Sequence, residues 1–135
     1  MPEPSEDLRA VVGVAFAEAR REQSPILSTP HLFVALIEAD RVVAALLRAQ
    51  DIDPQHICER LRAALSQRKV APDVEPQLTA RAAASLKRAA ALASREGAPE
   101  ITEQHLAAAI LQEDDQSITV EVLRDCGVDV KAMRS

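Results

Sequence analysis

The 135-residue chain has no tryptophan or tyrosine, two phenylalanines (Phe16 and Phe33), three glycines and two cysteines. Scarce aromatic rings leave few platforms on which bases could stack. Charge points the same way. The net charge is −5, with 7 basic and 10 acidic residues in 1–66 and 9 and 11 in 67–135. Neither half carries the basic footprint of a nucleic-acid binder. No G-x-x-x-x-G-K-[ST] occurs, so the chain has no glycine-rich cradle for nucleotide phosphates and no route to ATP hydrolysis through one. Cys58 and Cys126 fit no metal-ligand spacing. They read as small packing side chains in a reducing compartment. No apolar run is long enough to span a bilayer. The start, MPEPSEDLRA, is polar and acidic, unlike a secretory leader. A cytoplasmic protein with no membrane partner, metal or cofactor is expected.

What the chain does have is a duplication. ARREQSPILSTPHLFVALIEAD (19–40) aligns with ASREGAPEITEQHLAAAILQED (93–114) at a constant offset of 74 residues. Arg21 meets Arg95, Pro25 meets Pro99, and His31 meets His105. Further on, LLRAQDID (46–53) aligns with VLRDCGVD (122–129) at an offset of 76. A repeat this long is a supersecondary unit that buries its apolar face against its twin. Apolar residues make up 47% of the chain, enough for one compact domain over 1–135 with a shared core.

Apolar spacing is helical wherever it is regular. Leu8, Val12, Phe16 and Ala19 stripe a first helix over about 5–23. Ser5 is its candidate cap, and the residue before Pro25 ends it. Ser28-Thr29-Pro30 starts a second helix whose inward face is Leu32, Ala35, Leu36 and Ala39. A third, about 42–50, presents Val43, Leu46 and Leu47. A fourth follows Asp53-Pro54, with Ile57, Leu61 and Leu65 inward. Residues 67–77, with two prolines and mixed charge, read as a linker between repeat one (about 5–66) and repeat two (about 78–135). Repeat two predicts helices over about 79–96 (capped by Thr79), 102–112 (capped by Thr102) and 116–126 (stopping at Gly127). Asp129 could cap a short eighth. No segment alternates with a period of two, so no sheet is expected. The fold class is all-α.

The S/T-x-x-H-L that opens an apolar helix stands twice, as Ser28–Leu32 and Thr102–Leu106. Each copy follows an alanine-rich amphipathic helix, and L-R-x-x-x-(I/V)-D is duplicated downstream. This pattern resembles the Clp repeat domain, the N-terminal domain of the Clp/Hsp100 AAA+ unfoldases, across about residues 5–133. The resemblance implies two four-helix repeats related by a pseudo-twofold axis. It also implies a non-catalytic module that binds protein or peptide substrates, a Clp ATPase or adaptor, or a small molecule. The alternative is a divergent stand-alone scaffold or regulator unconnected with Clp, or a decoy that sequesters a small molecule. Related domains that read phosphoarginine have glutamates where Pro30 and Gln104 stand here. Neither offers an anion to a guanidinium, so weak or no phosphoarginine binding is expected. The phenylalanine that such domains often place before the first and fifth helices is Pro4 and Leu78. Candidate ligand-binding residues are Thr29, Pro30, Glu103 and Gln104, at the starts of the second and sixth helices. Arg9, Val12, Leu78 and Arg81 join them, at the starts of the first and fifth.

Other residues have plainer readings. His31 and His105 are two ligands short of a zinc site and read as local partners in a first helical turn. His56 reads as exposed. Ser85 has no glycine elbow to make it a nucleophile. Glu113-Asp114-Asp115 lacks the alternation of a calcium loop. Arg20-Arg21 and Lys87-Arg88 read as exposed helix faces. No constellation supports an enzyme.

Overall fold

The computed structural model describes residues 3–39, 41–65, 76–112 and 117–134. Eight helices lie among them: α1 (Glu6–Arg21), α2 (Thr29–Glu38), α3 (Val42–Ala49) and α4 (Pro54–Leu65), then α5 (Ala80–Arg95), α6 (Glu103–Leu111), α7 (Ile118–Asp125) and α8 (Val130–Arg134). The caps read from the sequence are in place. Ser5 Oγ accepts the Leu8 N–H at 3.1 Å and Thr79 Oγ1 accepts that of Ala82 at 3.0 Å. Asp129 Oδ1 accepts the Ala132 N–H at 3.2 Å at the start of α8.

The expectation of no sheet needs correction. Four two-residue strands, β1 (Glu3–Pro4), β2 (Ile26–Leu27), β3 (Gln77–Leu78) and β4 (Glu100–Ile101), form two parallel pairs. Two residues are too few to leave an alternating pattern. The pairing exchanges partners between halves: β1 pairs with β4, and β2 with β3. Each repeat therefore supplies one strand to each pair. Residues 67–75 of the expected linker lie outside the described residues, as do Glu113, Asp114 and Asp115. Gln77, assigned to that linker, already belongs to β3.

Helices α2 and α6 form the centre. Every residue of α2 from Thr29 to Ile37 is buried, which is why its sequence is apolar on all sides. It packs against α1, α3, α4, α5, α6 and α7. Its twin α6 buries His105–Ala107 and Ala109–Leu111. Phe33, Leu36, Ile57, Leu61, Ile110 and Leu123 are among the fully enclosed side chains, each contributing about 1.5–3 kcal/mol at most.

The α1 stripe is rotated from the expected one. Leu8, Val11, Ala15, Glu18 and Ala19 are buried, while Val12 and Phe16 are only partly covered. Alanines and valines on several sides of this helix let neighbouring faces compete, and packing chose between them. Leu46 of α3 is likewise partly covered, with Ala44 buried in its stead.

Helix α1 also ends before the pre-proline residue. The Ser24 N–H bonds Ala19 O at 2.9 Å, with Gln23 at φ 57°. This is a six-to-one closure with a left-handed residue. The same closure recurs three times, with Asp51 (φ 61°), Gly97 (φ 69°) and Gly127 (φ 83°) at the left-handed position. Repeat two places glycine there, and repeat one places Gln23 and Asp51.

Candidate functional site

The exchanged strands build two seams, each from both repeats. At the first, β1 leads into α1 beside the start of α6, and the Ser5 N–H donates to Ile101 O at 2.8 Å. At the second, β3 leads into α5 beside the start of α2, and the Thr79 N–H donates to Leu27 O at 3.0 Å. Four helix N-termini thus meet in two pairs.

A histidine holds each inner helix start. His31 Nδ1 accepts the Ser28 N–H at 3.0 Å, and His105 Nδ1 accepts that of Thr102 at 2.9 Å. With Nδ1 accepting, the neutral ring carries its proton on Nε2. His105 Nε2 then donates to Glu96 Oε2 at 2.7 Å, and His31 Nε2 lies 3.5 Å from Glu22 Oε2. Both histidines are positioning groups of the fold, as their first-turn positions implied. His56 is exposed. No three His, Cys, Asp or Glu side chains among the described residues are grouped to hold a metal ion.

The candidate residues divide between the seams. Arg9, Val12, Glu103 and Gln104 belong to the first. Arg9 and Gln104 are exposed and Val12 is half-buried. Glu103 is buried and takes both Nε (3.0 Å) and Nη2 (2.7 Å) of Arg41. That pair ties α6 of repeat two to the start of α3 in repeat one. The Glu103 hydrogen bond raises the Arg41 pKa; burial opposes it, and the charge of Glu103 adds to the rise. Thr29, Pro30, Leu78 and Arg81 belong to the second seam. Thr29 is buried with Oγ1 3.2 Å from Thr119 Oγ1 of α7, the neutral counterpart of the Arg41–Glu103 tie. Pro30 is buried, Arg81 is exposed and Leu78 is 41% exposed. The accessible members are therefore Arg9 and Gln104 at one seam and Leu78 and Arg81 at the other. Thr29, Pro30 and Glu103 form the framework beneath.

Two features were not found from the sequence. Arg62 of α4 reaches Glu18 of α1 at 2.9 Å and also pairs with Glu38 of α2, while Arg21 pairs with Glu18. Burial works against the Glu18 charge, but the bonds and charges of Arg62 and Arg21 outweigh it and hold its carboxyl below the usual value. Burial, then the charge of Glu18, pushes Glu22 up. The one available signal was Glu18 on the Val11–Ala15 stripe, which the competing stripe masked. The second feature is Arg88, read as an exposed face. It is half-buried and donates from Nη1 to Ala109 O at 2.8 Å.

Comparison with known proteins agrees with this architecture. Residues 3–92 and 77–135 match the family model of the Clp repeat (R) N-terminal domain. No curated protein sequence matches the chain. Among solved structures, the Hsp104 N-terminal domain from Candida albicans superposes with a TM-score of 0.85 at 16% identity, covering 98% of this chain and 87% of that one. The N-domain of ClpV from Vibrio cholerae gives 0.80 at 16% identity, covering 98% and 81%. The N-terminal domain of the chaperone ClpD from Arabidopsis thaliana gives 0.75 at 16%, covering 98% and 90%.

Proposed function

The chain belongs to the Clp repeat N-terminal domain family, and from that premise we propose that it is a non-catalytic binding module. It receives protein or peptide substrates, or an adaptor, for a Clp-type unfoldase in the cytoplasm. Its mechanism is docking alone. The observation that supports this most is the pair of preformed seams. Each sets exposed side chains, Leu78 and Arg81 or Arg9 and Gln104, on capped helix starts above Thr29 and Glu103, which are held by Thr119 and Arg41. A surface held this way loses little conformational freedom when a partner arrives. Leu78 supplies an apolar anchor beside a cation, a combination suited to an extended segment with apolar and acidic residues.

The test is an amide NMR titration with a permanently unfolded probe, reduced and carboxymethylated α-lactalbumin. Shifts confined to the starts of α1, α5 and α6, and weakened by Leu78→Ser and Gln104→Ala, are expected. An unperturbed spectrum at saturating probe would refute the reading. If the probe binds but a Clp ATPase fails to co-purify with the chain, the module acts as a scaffold outside that system.

A further inference from the structure

The two repeats differ at one groove, and the difference indicates a ligand. In repeat two, Arg88 of α5 crosses to α6 and donates to Ala109 O. The 74-residue register makes Val14 the counterpart of Arg88, Ala35 that of Ala109, and Glu38 that of Gln112. Repeat one has no arginine to make the crossing. A groove of about 270 Å³ remains there, walled by Ala10, Val11 and Val14 of α1 and by Ala35, Glu38 and Ala39 of α2. Val14 is 45% exposed, and nothing lies within 4 Å of a Cβ built on the adjacent Gly13.

We propose that this groove binds the arginine side chain of a partner peptide, in the place Arg88 takes in the second repeat. The groove is mainly apolar, with hydrogen-bond acceptors on its α2 side. Ala35 O accepts the Ala39 N–H at 3.0 Å, and a carbonyl has a second lone pair. Ala109 O uses that pair for Arg88. The last turn of α2 has no basic residue, so its negative end is uncompensated within the helix. Glu38 adds a carboxylate where repeat two has a neutral amide. Its Oε1 is held by Arg62, and the carboxylate lines the groove. Arg41, at the groove's end, is already neutralised through two bonds to Glu103. The valines and alanines suit an arginine stem. A planar fork can reach a backbone carbonyl and a carboxylate together, which a lysine does less well.

This inference deepens the binding-module reading and rests on it, since the arginine must arrive on another chain. The test is a methyl and amide NMR titration of the full chain with acetyl-Ala-Leu-Arg-Leu-Ala-amide. A second titration uses the same peptide with citrulline, which keeps the shape and loses the charge. Shifts at Ala10, Val14, Ala35 and Ala39 are expected, with citrulline weaker by about tenfold. Val14→Arg should fill its own groove and abolish binding. Arg88→Val should open a second, weaker site around Ala109. Equal affinity for the two peptides, shifts elsewhere, or unchanged binding by a folded Val14→Arg would overturn the proposal. The citrulline comparison on the unaltered chain decides it even if that variant misfolds. If unfolded α-lactalbumin moves the seams while the arginine peptide moves nothing, this groove fails and the module reading stands. If the peptide fills the groove and the unfolded probe moves nothing, the seams fail as the docking surface and the groove stands.

Discussion

Replacing Arg62 by methionine isolates the ion-pair cluster that joins α1, α2 and α4. Methionine keeps most of the apolar stem and is a good helix former. Two carboxylates lose their partner, but unequally. The Glu38 side chain is 34% exposed and regains water, whereas that of Glu18 is 7% exposed and does not. An uncompensated buried charge costs about 3–5 kcal/mol. Arg21, 74% exposed, still reaches Glu18 across one turn, and such a pair returns only about 0.2–0.5 kcal/mol. The expected loss is about 3 kcal/mol at neutral pH, a fall in Tm of roughly 10 °C for a domain of this size. Urea titration followed by circular dichroism measures it.

The pH dependence has a definite sign. A carboxylate held below its usual value of 4.5 contributes stability above that value, and loses it as pH falls through the depressed folded value. The penalty of Arg62→Met should therefore be full at neutral pH and shrink in acid, where Glu18 takes a proton. Glu22, pushed up by burial and by Glu18, acts oppositely: its contribution is present in acid and lost as pH rises through its folded value. Converting Glu18→Leu together with Arg62→Met should lie closer to the parent than Arg62→Met alone, because no charge is then stranded. A single-variant loss under about 1 kcal/mol, or a double variant no better than the single, would refute the reasoning.

Leu36, 1% exposed at the centre of α2, should cost about 2–5 kcal/mol on substitution by alanine; a near-zero change in urea midpoint would contradict its place in the core. Gln23→Gly should stabilise by about 0.5–1 kcal/mol, since φ 57° is left-handed and glycine carries no Cβ penalty there; a lower Tm would show that the side chain contributes more than the strain. Burial pushes the Cys58 thiol up to about 11, so Ellman's reagent should label Cys126 in the folded chain and Cys58 only on unfolding, as mass spectrometry of timed samples can show. Free phosphoarginine should give no saturable heat in calorimetry, because Pro30 is buried and Gln104 is neutral; binding abolished by changing Thr29 or Glu103 would mean that other residues serve the pocket.

Local chemistry was legible in the sequence because its signals span about four residues. Ser5, Thr79 and Asp129 cap helices by reaching the next turn, and Pro30 and Pro54 mark starts through their fixed φ. The duplication placed His31 and His105 in equivalent first turns, and both hold their N-cap N–H groups. Candidate residues clustered at helix starts for the same reason, although Thr29 and Glu103 could not be told from surface groups without their partners Thr119 and Arg41.

Everything decided between distant segments needed the tertiary structure. Strands of two residues carry no period, so the exchange of β1 and β3 between repeats left no trace in the pattern. A helix rich in alanine and valine has several faces of similar apolarity. Which one turned inward was settled by packing against α2 and α6, and with it the burial of Glu18 within reach of Arg62 from α4. Arg88 looks like any surface arginine by composition. Only the approach of α5 to α6 brings Ala109 O within its reach, and only comparison with the open groove beside Val14 makes that bond informative.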